Sequence, residues 1–304
     1  MRTINISARG RVVSPQQPLA MLRYLLLLAC LLLLRMVAIA QPVNRAVDDD
    51  ADKVYRVKPL RELGAAAIGL GVTIYSFQKI NGKDDFDALA LDRDDVPGYD
   101  RWIFPENTNR VSRASGASDI GFYTGIGLPF ALFLDPDIRQ DWFDITTMYF
   151  NAQAANGVLY AATPLGPSVV DRARPSAYYP EAFEDGTAPG KDLNAFFSGH
   201  VSTTATGTFF AAKVLSDYHP DWSGGQRALL YGAASIPPLY VAVQRVRALR
   251  HFPTDTVVGF GLGAAVGILT PHIHKRWQEK HRSSLGLSAS FSGEAGGVGL
   301  GLVF

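Results

Sequence analysis

Six stretches of this 304-residue chain are apolar over the length of a helix: 63–77, 117–135, 141–163, 198–217, 226–247 and 253–272. Almost nothing between them alternates as a strand would. Such runs must hide their apolar faces against one another or in lipid, and helices do so without leaving sheet edges unpaired. The predicted fold class is therefore all-α, a six-helix bundle. The tail from Leu285 to Phe304 changes to an alternating pattern and reads as a short β-hairpin around Gly293–Gly297. The predicted organisation is a leader or N-terminal anchor over 1–40, an N-terminal helix and charged surface loop over 41–116, a helical core over 117–272, and a basic end with the β-like tail over 273–304.

Whether the helices cross a bilayer is a separate matter. A spanning helix needs about 20 mostly apolar residues. Asn151, Gln153 and Asn156 interrupt one run, Pro237-Pro238 another, and the mean hydropathy is only +0.06. Residues 21–41 combine a basic start, an apolar run and Ala38-Ile39-Ala40 before Gln41, the layout of a secretory signal, with an uncleaved anchor as the second reading. If residues 21–40 deliver Gln41 outside and every run up to residue 163 crosses, the 164–197 loop lies in the cytoplasm. The basic segment His272–Arg282 argues for the opposite orientation. Either the 63–77 helix does not cross or the bundle is not transmembrane.

Composition excludes several functions. A net charge of +1 gives no electrostatic case for nucleic acid. The single cysteine, Cys30, allows neither an intrachain disulfide nor a cysteine metal site, and no metal or other cofactor is predicted.

The chemistry lies at the ends of the apolar runs, in three pieces: Arg174-Pro175, Ser198-Gly199-His200, and Gln244–Gly259 with Arg245, His251 and Asp255. Pro253 suits the first turn of a helix, so His251 falls just before that helix and Asp255 within its first turn. There the carboxylate is positioned to hold one imidazole nitrogen and leave the other free to attack. Arg245 offers a planar fork to phosphate oxygens. A helix starting at Ser198 turns the Gly199 and His200 amides outward toward an anion, with His200 placed as a general acid. Singly, each piece has a plainer reading as a turn, a helix start or a surface histidine. Together, and in this order, they point to phosphoryl transfer.

The same residues resemble the type 2 phosphatidic acid phosphatase superfamily, which includes bacterial acid phosphatases and vanadium haloperoxidases. Its signature, K-x6-R-P, P-S-G-H and S-R-x5-H-x3-D, is met by Arg174-Pro175, Ser198–His200, and Arg245, His251 and Asp255. Three positions depart: Pro167 stands where the family has Lys, Phe197 precedes Ser198, and Gln244 precedes Arg245. Arg172 is poorly spaced to replace the lysine, which leaves Lys191, Arg247 and Arg250 as candidates. The resemblance implies metal-free hydrolysis of a phosphate monoester or pyrophosphate through a phosphohistidine. His251 would be the nucleophile, Asp255 its orienting partner and His200 the acid and then base, with Arg174, Arg245, Ser198 and Gly199 holding the phosphate. The expected substrate is a lipid phosphate of the phosphatidate, polyprenyl diphosphate or lipid A type. The expected location is the cell envelope, in association with the membrane, with the site on the outer side of the inner membrane. The alternatives are a soluble exported acid phosphatase and a non-catalytic envelope protein on the same scaffold.

Overall fold

The computed structural model describes residues 53–104, 111–282, 286–292 and 295–301. The predicted leader and Cys30 lie outside these residues. The fold is all-α, with long helices at each of the six apolar runs: α1 (Pro59–Asn81), α2 (Val111–Gly127), α3 (Trp142–Ala162), α4 (Gly199–Tyr218), α5 (Gly224–Arg247) and α6 (Pro253–Arg282). A 3₁₀ segment, Leu128–Leu134, extends α2.

Local chemistry sets the boundaries. Pro59 opens α1, and Gly82 closes it with its amide on the Gln78 and Lys79 carbonyls. At the start of α5 the Ser223 hydroxyl and the Gln226 side chain cap each other's backbone amides, the reciprocal arrangement of S-x-x-Q. Pro237 and Pro238 sit inside α5 without ending it. The basic segment predicted to follow the last helix instead continues it. α6 runs to Arg282, with His274 on Glu62 and Lys275 on Asp217, so its polar groups find partners on other helices.

α4 is the central helix, touching α2, α3, α5 and α6, while α1 packs against α3. Its lower half meets Tyr149, Met148 and Ile145 of α3 through Phe210 and Val214. Contact with α6 is closer still. A Cβ added at Gly259, Gly263 or Gly267 would lie 2.6, 2.1 or 2.6 Å from the carbonyl oxygens of Ser198, Ser202 and Thr206. Only glycine lets the two backbones approach this near.

The 82–104 segment departs from the expected surface loop. Val96 and Ile103 are buried against Phe252, and Asp100 is fully buried. A two-residue antiparallel pairing, β1 (Phe86–Asp87) with β2 (Thr187–Ala188), ties this segment to the 164–197 connection. That connection is itself knitted by backbone bonds: Arg172 N to Leu193 O, Arg174 N to Asp192 O, Ala195 N to Arg172 O, and Ser176 N to Leu249 O. The C-terminal tail forms the predicted hairpin, β3 (Gly286–Ser292) antiparallel to β4 (Ala295–Gly301).

Among the described residues, three helices are long and apolar enough to cross a membrane: Pro59–Asn81, Val111–Leu134 and Pro253–Glu279. They also expose large apolar side chains, among them Ile68, Tyr75, Ile120, Val257 and Ile273.

Candidate active site

Both histidines lie where a helix begins. His251 follows a tight turn in which Leu249 takes φ 54 and the Arg250 amide bonds the Arg245 carbonyl at 3.1 Å. The ring is buried. Its Nδ1 meets the Ala195 carbonyl oxygen at 2.6 Å, while the nearer Asp255 oxygen stands 4.0 Å away. A carbonyl can only accept, so Nδ1 carries the hydrogen and Nε2 keeps its lone pair.

The expected direct bond from Asp255 to His251 is thus replaced by a backbone one. Asp255 has other partners: its Oδ2 accepts the Phe252 amide at 2.7 Å, and its Oδ1 pairs with Arg172. The first of these caps the start of α6. Arg172 bonds Asp100 with its other terminal nitrogen at 2.7 Å and lies over the Phe252 ring at 4.5 Å. Its guanidinium is therefore occupied by two carboxylates.

Ser198 is the N-cap residue of α4, yet its hydroxyl makes no capping bond. Ser198 Oγ is buried with no partner among the described residues. The hydroxyls that follow do bond back to the helix as the sequence suggests, Ser202 to Gly199 O at 3.1 Å and Thr204 to His200 O at 2.9 Å. The first amides of α4 have no carbonyl one turn back. Gly199 is tightly packed, since a Cβ would meet the Tyr160 ring at 3.0 Å and the ring would have to shift.

Arg174 and Arg245 are both largely buried, and each has an unpartnered Nε. Their nearest anions are distant for ion pairs, Asp192 at 3.9 Å and Asp119 at 3.8 Å. Burial first, then Arg174 and Arg250, pull the Arg245 ionisation down to about 10. Arg174 is lowered by burial and by Arg250, with Asp192 opposing. Of the three cations considered in place of the lysine, Lys191 and Arg247 are exposed, whereas Arg250 is half-buried and adds its charge to both arginines.

The same charges act on the histidines. Burial, then Arg245 and Arg174, hold His251 well below the ordinary histidine range. His200 is brought down to about 4 by burial and Arg245, with Asp119 opposing. Guanidinium groups with few counter-charges, a partnerless hydroxyl, free helix-start amides and two neutral imidazoles make a pocket that is short of an anion.

Residues 142–279 match the family model of the PAP2 superfamily. The matched segment carries the motifs that resemble the type 2 phosphatidic acid phosphatases. No curated protein and no solved structure matches the chain. The PAP2 region runs from α3 to near the end of α6 and contains Arg174, Ser198, Gly199, His200, Arg245, His251 and Asp255. That superfamily implies phosphatase chemistry on phosphate esters, generally those of lipids.

Three groups near the site were not singled out from the sequence for the parts they play. Asp119 of α2 faces His200, Asp100 anchors Arg172, and the Ala195 carbonyl holds His251. The first two precede the PAP2 segment and the third acts through its backbone, so no side-chain motif marks any of them. Of the histidines outside the site, His274 is engaged by Thr270 O and Glu62, and no group of three metal-binding side chains occurs among the described residues.

Proposed function

We propose that the protein removes phosphate from a phosphorylated lipid, a phosphate monoester or pyrophosphate, through a phosphohistidine at His251. The observation that carries this reading is the set of buried, partnerless polar atoms, Arg174 Nε, Arg245 Nε and Ser198 Oγ, beside two histidines kept neutral by the same arginines. A phosphate would supply the oxygens those donors lack.

In the forward step His251 Nε2 bonds to phosphorus as the bond to the leaving oxygen breaks, and His200, protonated once the bound phosphate offsets the charges of the arginines, gives that oxygen a proton. In the second step His200 takes a proton from water, whose oxygen displaces His251. Arg174, Arg245, Ser198 Oγ and the Gly199 amide hold the non-bridging oxygens, where charge grows in the transition state. Asp255 supports His251 indirectly, by capping α6 and fixing Arg172.

A lipid substrate fits the three helices able to cross a membrane and their exposed apolar side chains. With the leader predicted over 1–40, the reading extends to an envelope enzyme whose site lies on the outer side of the inner membrane. Phosphate release from a panel of lipid and soluble phosphates tests it. His251→Ala and His200→Ala should each abolish turnover, and a lipid should be the preferred substrate. Equal rates on soluble esters without detergent would favour an acid phosphatase. A folded wild type with no activity would leave a non-catalytic scaffold.

A further inference from the structure

Asp119 comes from α2, outside the PAP2 segment, and none of the sequence motifs includes it. Its Oδ1 lies 3.2 Å from His200 Nε2 and 3.8 Å from Arg245, while the neighbouring Ser118 hydroxyl accepts from Arg245 at 3.4 Å. The Asp119 side chain is 48% exposed and that of His200 33%, so the pair stands at the rim of an otherwise buried cluster. A leaving group that remains attached to a lipid must depart toward such a rim. An ionised carboxylate can only accept, so the hydrogen between them belongs to His200 Nε2. The other ring nitrogen, Nδ1, has no hydrogen bond among the described residues.

We infer that Asp119 is the positioning residue of the general acid, holding His200 by Nε2–H so that Nδ1 is the atom that delivers a proton to the leaving oxygen. This rests on the phosphohistidine reading above. With the phosphate bound and offsetting the arginine charges, His200 takes up a second proton at Nδ1; in the forward step that Nδ1–H bond breaks, the proton joins the leaving oxygen, and that oxygen parts from phosphorus as His251 Nε2 bonds to it. In the return step Nδ1 takes a proton from water as the water oxygen bonds phosphorus and the phosphorus–His251 bond breaks. The Nε2–H stays with Asp119 throughout.

The surroundings give such a carboxylate a purpose. The other charged or titratable groups near His200 are Arg245 of α5, Arg174 of the connecting loop and His251 before α6. Burial and the two arginines oppose a positive imidazole, and Asp119 is the group that favours it. Without that carboxylate, His200 would have no protein acceptor for its Nε2 hydrogen and less affinity for the proton it must donate.

The test exploits leaving-group chemistry. General acid catalysis matters greatly when the departing oxygen is basic and little when it is acidic. Wild type, Asp119→Asn and Asp119→Glu are compared on an alkyl phosphate and on an aryl phosphate whose phenol is strongly acidic, with circular dichroism confirming the fold. Asp119→Asn should lose about ten- to a hundredfold in kcat on the alkyl ester but less than about threefold on the aryl ester, and Asp119→Glu should recover part of the alkyl rate. An equal loss on both esters, no loss, or a gain would overturn the inference while leaving the phosphatase reading standing. If Asp119→Asn does not fold, Asp119→Ser is read by the same ratio. A wild type inactive on both esters would overturn the inference together with the reading on which it rests.

Discussion

His251 Nδ1 lies 2.6 Å from the Ala195 carbonyl oxygen, and the Asp255 carboxylate, one helical turn on, stands 4.0 Å away. The backbone therefore fixes the imidazole tautomer, while the acid fixes the helix and the arginine beside it. Asp255→Asn should accordingly retain measurable phosphatase activity where His251→Ala retains none. A folded Asp255→Asn protein as inactive as His251→Ala would mean that the carboxylate acts on the imidazole directly. Asp255→Ala leaves Arg172 with Asp100 as its remaining carboxylate and removes the cap on the Phe252 amide, and should lower stability by about 1–3 kcal/mol, measured by denaturant titration in detergent.

Arg250 should behave as a phosphate-binding cation although its position belongs to no part of the signature. It adds its charge to Arg174 and Arg245, and no carboxylate pairs with it among the described residues. Arg250→Ala should reduce kcat/KM by roughly a hundredfold, with Arg250→Lys intermediate. Arg247→Ala, at an exposed position, should change kcat/KM little.

The depressed histidines predict how stability responds to acid. Between about pH 4 and the ordinary histidine value near 6.5, the unfolded chain binds a proton at His200 that the folded chain refuses, and His251 adds to this in the same direction. Folding stability at these sites must fall as pH falls through that window. Compared with a His200→Gln, His251→Gln double variant, the wild type should lose Tm more steeply, or gain it less, between pH 7 and pH 5. An identical slope in both proteins would contradict the buried neutral state.

The α4–α6 contact predicts opposite outcomes for two nearby glycines. A Cβ at Gly263 would sit 2.1 Å from the Ser202 carbonyl oxygen, whereas at Gly261 it would meet nothing within 4 Å. Gly263→Ala should destabilise by about 1–3 kcal/mol and reduce activity, because it drives apart the helices that bear the site. Gly261→Ala should be neutral or stabilising by up to about 1 kcal/mol through helix propensity. Thermal melts and phosphate release on the two variants check this.

The parts of the molecule legible in the sequence were those encoded locally. The helices announced themselves by length and apolarity, and His200, Arg245, His251 and Asp255 by spacings that a helix start fixes. The end of α6 did not, since the pairing of His274 with Glu62 and of Lys275 with Asp217 depends on other helices. The 82–104 segment read as solvent-exposed because it is rich in Asp and Arg. Asp100 is buried there because Arg172, 72 residues away in sequence, and Thr254, 154 away, meet its carboxylate. Asp119 faces His200 across 81 residues, and no local pattern records that distance. Ala195 contributes a carbonyl, which every residue has.

The glycines of α6 have a consequence for how such an enzyme can diverge. With Gly259, Gly263 and Gly267 seating one backbone on the other, the helix that starts at His200 and the helix that starts beside His251 share a joint with no side chain to lengthen or shorten. Substitutions on the outer faces of the bundle can accumulate without disturbing that joint. On the proposed function, a change of substrate preference would come from the two connecting segments, 82–104 and 164–197, which β1 and β2 join. Variation between chains of this design should therefore concentrate there, around two histidines whose separation stays constant.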